Sequence, residues 1–308
     1  MKERIIPRFP GFVAKAVSFT IDDGNIPMDK KLLDIVKPFG IKGTFNLCSD
    51  RLTYLSPEEY REFYRGYGIA NHCAHHPAAY TEGVEYTVAE GKFDPETADK
   101  SKLYKSTIEG YYHACLTQGW RMVACDETYL AFAEESRKII KEIFGNEYGD
   151  AFVWPFGEQK NGKLKASLAA RYGSLRKTGC LLDSTGFALP ADRSAWTYNA
   201  HHGNILNVMK KFAEYPDDGE LKLFTFGVHS VDFENAGCWG NLEEFAKTYG
   251  NRPEEFYYAT IDEIFNYEDA VKALHVYTDR VYNPSNITLY FEYNGAKYTV
   301  APGATVAL

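Results

Sequence analysis

"FVAKAVSFTIDDG", residues 12–24, is an apolar run that ends in two adjacent aspartates and a glycine. The run from Phe12 to Ile21 reads as a strand buried on both faces, the kind that belongs to a parallel sheet. In parallel α/β architectures functional groups gather at the carboxyl ends of the strands, because the loops there converge on one mouth. Asp22 and Asp23 fall at such an end, and Gly24 permits a sharp turn after them.

Similar runs recur along the chain. "IKGTFNL" (41–47), "AFVWPFG" (151–157), "GCLLDS" (179–184) and "KLFTFGVHS" (222–230) read as further buried strands. Helix-like segments lie near 28–37, 57–65, 127–144, 163–172, 204–214 and 241–249. The alternation predicts an α/β fold, either a parallel barrel or a doubly wound sheet, over 1–274. Thr260 and Glu263 form a capping-box pattern that starts a last helix. From 275 to 308, alternating Thr, Tyr and Val with Asn-Pro, Asn-Gly and Pro-Gly turn signals predict a small β-rich appendage. The polar, Tyr-rich stretch 81–126 reads as an insertion between strands.

At 308 residues the chain is long enough for one large core with an appendage. The net charge of -8, with basic residues scattered, argues against a nucleic-acid partner. No apolar stretch approaches the roughly 20 residues needed to cross a bilayer. "MKERIIPRFP" at the start lacks the apolar run of a signal peptide. The six cysteines (48, 73, 115, 125, 180 and 238) form no CxxC pair, which points to reduced thiols and a cytoplasmic protein; a secreted form without its leader would begin in the same way. The 23 Tyr and 20 Phe suit a groove with aromatic walls, against the plainer account of rings in a large core. Trp154, Trp196, Trp239 and Asp183 are candidates for that groove, with core or turn packing as the competing account.

Two adjacent carboxylates in a partly buried site raise one another's pKa unless a cation neutralises them. Ligands for one stand in "NHCAHHP", residues 71–77, where His72 and His76 are four apart and converge if the segment makes a helical turn. An Asp with two His is a mixed O/N set suited to zinc, cobalt, nickel, manganese or iron, with positions left open for water and substrate. Such an ion makes water a nucleophile near neutral pH once a base takes its proton, which gives the second aspartate a task. Separately, Asp-Asp-Gly is a turn and His-x-x-x-His a helix surface. Their coincidence, with His229 at a later strand end, favours a metal site.

These residues resemble the polysaccharide deacetylases, the NodB-homology group of carbohydrate esterases. Thr20-Ile21-Asp22-Asp23-Gly24 is similar to their TFDDG motif, and His72-Cys73-Ala74-His75-His76 to their His-(Ser/Thr)-x-x-His motif. "GTFNL" (43–47), "VWPFG" (153–157) and "TFGVHS" (225–230) resemble further conserved segments of that family. The resemblance spans about 10–270 and implies a distorted (β/α) barrel with one divalent metal, zinc foremost, at its mouth. It implies Asp22 as catalytic base, Asp23, His72 and His76 as metal ligands, His75 as a bystander, the Phe156 amide as oxyanion donor and His229 as general acid oriented by Asp232.

Three departures stand out. Val153 occupies the place of a frequent arginine, for which Arg176 is the substitute, against a reading of Arg176 as a helix-end cation. Gly227 replaces a leucine, which implies a wider acyl pocket. Cys73 replaces Ser or Thr and weakens a supporting hydrogen bond. The activity implied is metal-dependent removal of acetyl groups, N-acetyl ahead of O-acetyl, from a carbohydrate. Alternatives are an amidohydrolase of small linear or cyclic amides and a catalytically weak carbohydrate-binding protein. A non-haem iron oxygenase fits less well, since its ligand order is His-x-Asp followed by a distant His. The C-terminal hairpins are a candidate surface for homo-oligomers.

Overall fold

The structure, a computed structural model, describes residues 5–116, 119–157, 161–181 and 186–308. Eight strands build the central sheet: β1 (Lys15–Asp23), β2 (Thr44–Leu47), β3 (Gly68–Asn71), β4 (Ala151–Val153), β5 (Ser174–Cys180), β6 (Trp196–Tyr198), β7 (Lys222–His229) and β8 (Phe256–Tyr258). Their order is β6-β5-β4-β3-β2-β1-β7, with β8 also paired to β1, and every pairing is parallel.

Helices α1 (Ile26–Val36), α2 (Pro57–Phe63), α3 (Asp126–Phe144), α4 (Gly162–Ala169), α5 (Ile205–Glu214), α6 (Ser230–Asn235), α7 (Trp239–Tyr249) and α8 (Ile261–Lys272) complete the α/β body. Each expected helical segment holds one of them, and α6 is additional. Thr260 caps α8 with both capping-box bonds formed.

β1 explains why its run is so apolar. Val17, Phe19 and Ile21 are fully buried with Leu32, Leu33 and Val36 of α1. The alternate residues Ser18, Thr20 and Asp22 point to the opposite face. There Asn46 Nδ2 donates to Thr20 Oγ1 and to Asp22 Oδ1, 2.7 Å each. One face of the strand builds the core and the other leads a polar column to the site.

Of the expected distorted (β/α) barrel the structure has the parallel α/β sheet, but its strand ladders do not close. β6 and β7 are the ends of the sheet and share no ladder; an isolated bridge between Ala200 and Phe226, with backbone bonds from Asn199 N and Ala200 N to the Thr225 carbonyl and from Gly227 N to the Ala200 carbonyl, links the segment after β6 to β7. The reason is local: just after β6, Asn199 Oδ1 accepts from the Thr225 amide, so a side chain takes a bond that a ladder would make. The expected strand at 179–184 also moves. β5 begins at Ser174, which places Arg176 inside the strand and not at a helix end. β3, β6 and β8 had no expected counterpart: three or four residues are too few to show a period, and the equally short β2 and β4 were found only as parts of longer runs.

After the histidine motif, Ala78–Ala79, Thr87–Val88, Lys102–Lys105, Tyr111–Leu116 and Gly119–Ala124 form a separate five-stranded sheet. Its last strand pairs in parallel with the first, Ala78 opposite Val123, and so returns beside the motif. At the far end, Leu289–Tyr293 and Ala296–Val300 form a hairpin that Ile6–Arg8 extends. Tyr267 of α8 ties this sheet to the body, donating to the Arg8 carbonyl at 2.6 Å and accepting from the Tyr290 amide at 3.0 Å. Among the described residues no helix is long and apolar enough to cross a membrane.

Candidate active site

Parallel register delivers the site residues to one edge. Asp22 lies opposite Asn46 of β2 and His229 of β7, and His72 follows directly on Asn71, the last residue of β3. The chain bends sharply there: Asp23, Cys73, His75, His76 and Phe156 all have positive φ, between 49° and 82°. L-residues adopt this region at a cost, and a cluster of them at one edge marks a site whose geometry the surrounding fold imposes. The segment 72–76 is therefore an irregular loop, and no helical turn brings its histidines together. Asn71 braces it, accepting from the Cys73 amide at 2.8 Å and donating to the Ala133 carbonyl at 2.7 Å.

His72 Nε2 and His76 Nε2 each lie 3.5 Å from Asp23 Oδ1, and the three ligand atoms fall within 4.8 Å of one another. His72 Nδ1 meets the Val153 carbonyl at 2.8 Å, which as a donor it satisfies, leaving Nε2 with its lone pair toward Asp23. Nε2 is buried and has no hydrogen-bond partner among the described residues. A buried acceptor aimed between a carboxylate and a second imidazole fits a cation. Burial, and after it the adjacent His72 ring, lowers the His76 pKa to about 4 against the pull of Asp23. Burial alone would raise the Asp23 carboxyl, but His72, His76 and Arg51 outweigh it and hold it well below the carboxylate range. Arg51 was not singled out from sequence; its Nη1 holds Asp23 Oδ2 at 2.8 Å, leaving Oδ1 to the histidines.

Asp22 lives in a different environment. It is buried, accepts from Asn46, and is paired with the guanidinium of Arg176, which is wholly buried. Burial pushes the Asp22 carboxyl up, and Arg176, with His72 and His229, brings it below its ordinary value. Arg176 is the direct parallel neighbour of Val153. A guanidinium thus stands beside Val153, on the neighbouring strand.

His229 closes the group, its Nε2 3.9 Å from Asp23 Oδ2 and its Nδ1 3.0 Å from Asp232 Oδ2. The Asp232 hydrogen bond raises the His229 pKa to about 9, with burial opposing and Asp22 and Asp23 assisting. Phe156 is 40% exposed, its ring 4.5 Å from that of His76, and no described group accepts from its backbone N–H.

Other expected residues lie elsewhere. Trp154 is buried among Phe152, Tyr129 and Cys73; Trp196 packs edge-on against Phe265; Trp239 stacks on Phe233 and donates to Glu234. None of the three lines a groove, because each indole is core. Asp183 lies outside the described residues. The wider acyl pocket at Gly227 is also absent, since a Cβ there would stand 2.1 Å from the Tyr198 ring, which fills the space. Gly227→Ala should therefore displace Tyr198 and destabilise the fold by roughly 1–3 kcal/mol, read from urea unfolding. Cys73 Sγ makes only a long contact, 3.9 Å, to the Tyr129 carbonyl. His75 points away, toward Phe132 and Asp50.

A profile of the polysaccharide deacetylase family matches residues 11–174, more than half of the chain. No curated protein matches. Among solved structures, a Mycobacterium smegmatis protein described as a polysaccharide deacetylase aligns with a TM-score of 0.54 at 15% identity, over 88% of this chain and 96% of that one. The peptidoglycan deacetylase PdaC from Bacillus subtilis aligns with a TM-score of 0.45 at 12% identity, over 85% and 94%. With the family's two aspartates and two histidines drawn to one sheet edge and more than half of the chain matching its profile, the protein belongs to the polysaccharide deacetylase family.

Proposed function

We propose that the protein is a metal-dependent deacetylase that removes N-acetyl groups from a carbohydrate. The observation that carries this reading is the contrast between two adjacent carboxylates: Asp23 faces two imidazoles and Asp22 faces a guanidinium. Asp23, His72 and His76 would hold one divalent ion, zinc first among the candidates. Such an ion supplies Lewis acidity toward an acyl oxygen and lowers the pKa of water.

The chain's own groups do the rest. Asp22, kept ionised by Arg176, accepts the proton of the attacking water, and Asn46 fixes the orientation of its carboxylate. The free Phe156 N–H donates to the oxygen on which negative charge develops. His229, held protonated by Asp232, gives its proton to the leaving nitrogen. An amine needs that proton more than an alkoxide does, which favours N-acetyl over O-acetyl substrates. Arg176, the parallel neighbour of Val153, would supply the cation that the family frequently carries there.

Acetate release from N-acetylated chito-oligosaccharides tests this. Metal-stripped protein should release none, and zinc, cobalt or manganese should restore turnover with one ion bound per chain. A protein that binds one ion yet releases no acetate would overturn the reading and shift attention to small amides.

A further inference from the structure

The insertion sheet brings one residue to the site that the proposed chemistry does not use. Arg121 stands on Gly119–Ala124, the strand that pairs beside the histidine motif, with its guanidinium 5.7 Å from the centre of the Phe156 ring. Phe156 in turn packs on His76. One aromatic ring therefore separates this cation from a metal ligand.

Its electrostatics are unlike those of comparable residues. Arg137, Arg176, Arg193, Arg252 and Arg280 also lie over aromatic rings, and each is paired with a carboxylate. Arg121 alone among the described arginines over rings has no such partner. Among the described residues its Nη1 donates only to the Trp120 carbonyl, at 2.9 Å, and its Nε is buried with no hydrogen-bond partner. A half-buried guanidinium with unused donors is costly to keep unless an anion completes it. Its planar fork matches a carboxylate.

We infer that Arg121 reads a carboxylate on the sugar chain next to the reacting N-acetyl group, so that the favoured substrate is an acidic N-acetylated glycan. The inference rests on the deacetylase reading for the place of the acetyl group. One arginine with no basic neighbour among its contacts suits a single close charge, and the chain's net charge of -8 disfavours long-range capture of a polyanion. Ether-linked lactate and a uronic acid both present such a carboxylate.

The test compares kcat/KM for acetate release from three oligosaccharides of equal length: a neutral chito-oligosaccharide, one bearing O3-linked lactate, and one oxidised at C6 to the carboxylate. The wild type should prefer one acidic form by about tenfold or more, and which one identifies the source of the charge. Arg121→Gln should abolish the preference, Arg121→Lys should keep part of it, and Lys138→Gln on the outer face of α3 should keep all of it. Equal activity of the wild type on all three, or an equal loss on all three in Arg121→Gln, would overturn the inference and leave Arg121 as packing for Phe156. Calorimetric binding of the same sugars separates the two claims. If no acetate is released from any sugar, a binding preference for an acidic form that Arg121→Gln removes sustains the role of Arg121, while binding without preference refutes it.

Discussion

Arg176→Gln should destabilise the protein by about 3–5 kcal/mol at neutral pH, because it leaves a buried carboxylate without its cation. Asp22 would keep only Asn46 as a side-chain donor, and burial would then push its pKa up. The sign follows from linkage. In the wild type Asp22 titrates below its ordinary value, so the pair contributes stability above the ordinary carboxylate range and loses it as pH falls through the lowered pKa. In the variant the charged form is the disfavoured one, so the loss relative to wild type should be largest at alkaline pH and shrink on acidification. Denaturant unfolding at several pH values reads this directly. The acid limb of the activity profile should move to higher pH at the same time. Adding Asp22→Asn to Arg176→Gln should recover part of the stability, since the two residues share one interaction. A pH-independent loss would mean that Arg176 matters only as volume.

His229→Gln should lower kcat by about 10²–10⁴-fold with KM little changed, as expected for a group that acts in the transition state. The companion variant Asp232→Asn tests the origin of its protonation. Asp232 is the largest contributor to a pKa of about 9, so wild-type activity should fall as pH rises through that region and His229 loses its proton. Without the carboxylate the imidazole should titrate nearer its ordinary value of about 6.5, and the alkaline limb should move down accordingly. A bound cation beside Asp23 lowers the pKa in both proteins, so the comparison is made with the same ion. An unmoved alkaline limb would assign it to another group.

Much of the site was legible because its chemistry is local. Asp22, Asp23 and Gly24 are consecutive, and His72 and His76 are four apart, so short motifs held four of the residues that meet at the sheet edge. Even there the backbone differed: left-handed residues at Cys73, His75 and His76 bring the rings together, not a helical turn. Size and hydrophobicity do not distinguish a groove-lining indole from a core one, so Trp154, Trp196 and Trp239 were misplaced. The three-residue strands β6 and β8 carried too little pattern to be seen.

By itself, the order of residues determined the alternation of buried strands and amphipathic helices, the ends at which carboxylates and imidazoles stand, and which Asp and His residues could share an ion. These follow from periodicity and from residue types a few positions apart. Only the tertiary structure decided that Arg176 pairs with Asp22 from the strand beside Val153, that Arg51 turns Asp23 toward the histidines, that Tyr198 fills the space beside Gly227, and that Arg121 reaches Phe156. Each of these depends on strand register or on a returning loop. Such contacts join residues far apart in the chain, and no local pattern encodes which strand lies next to which.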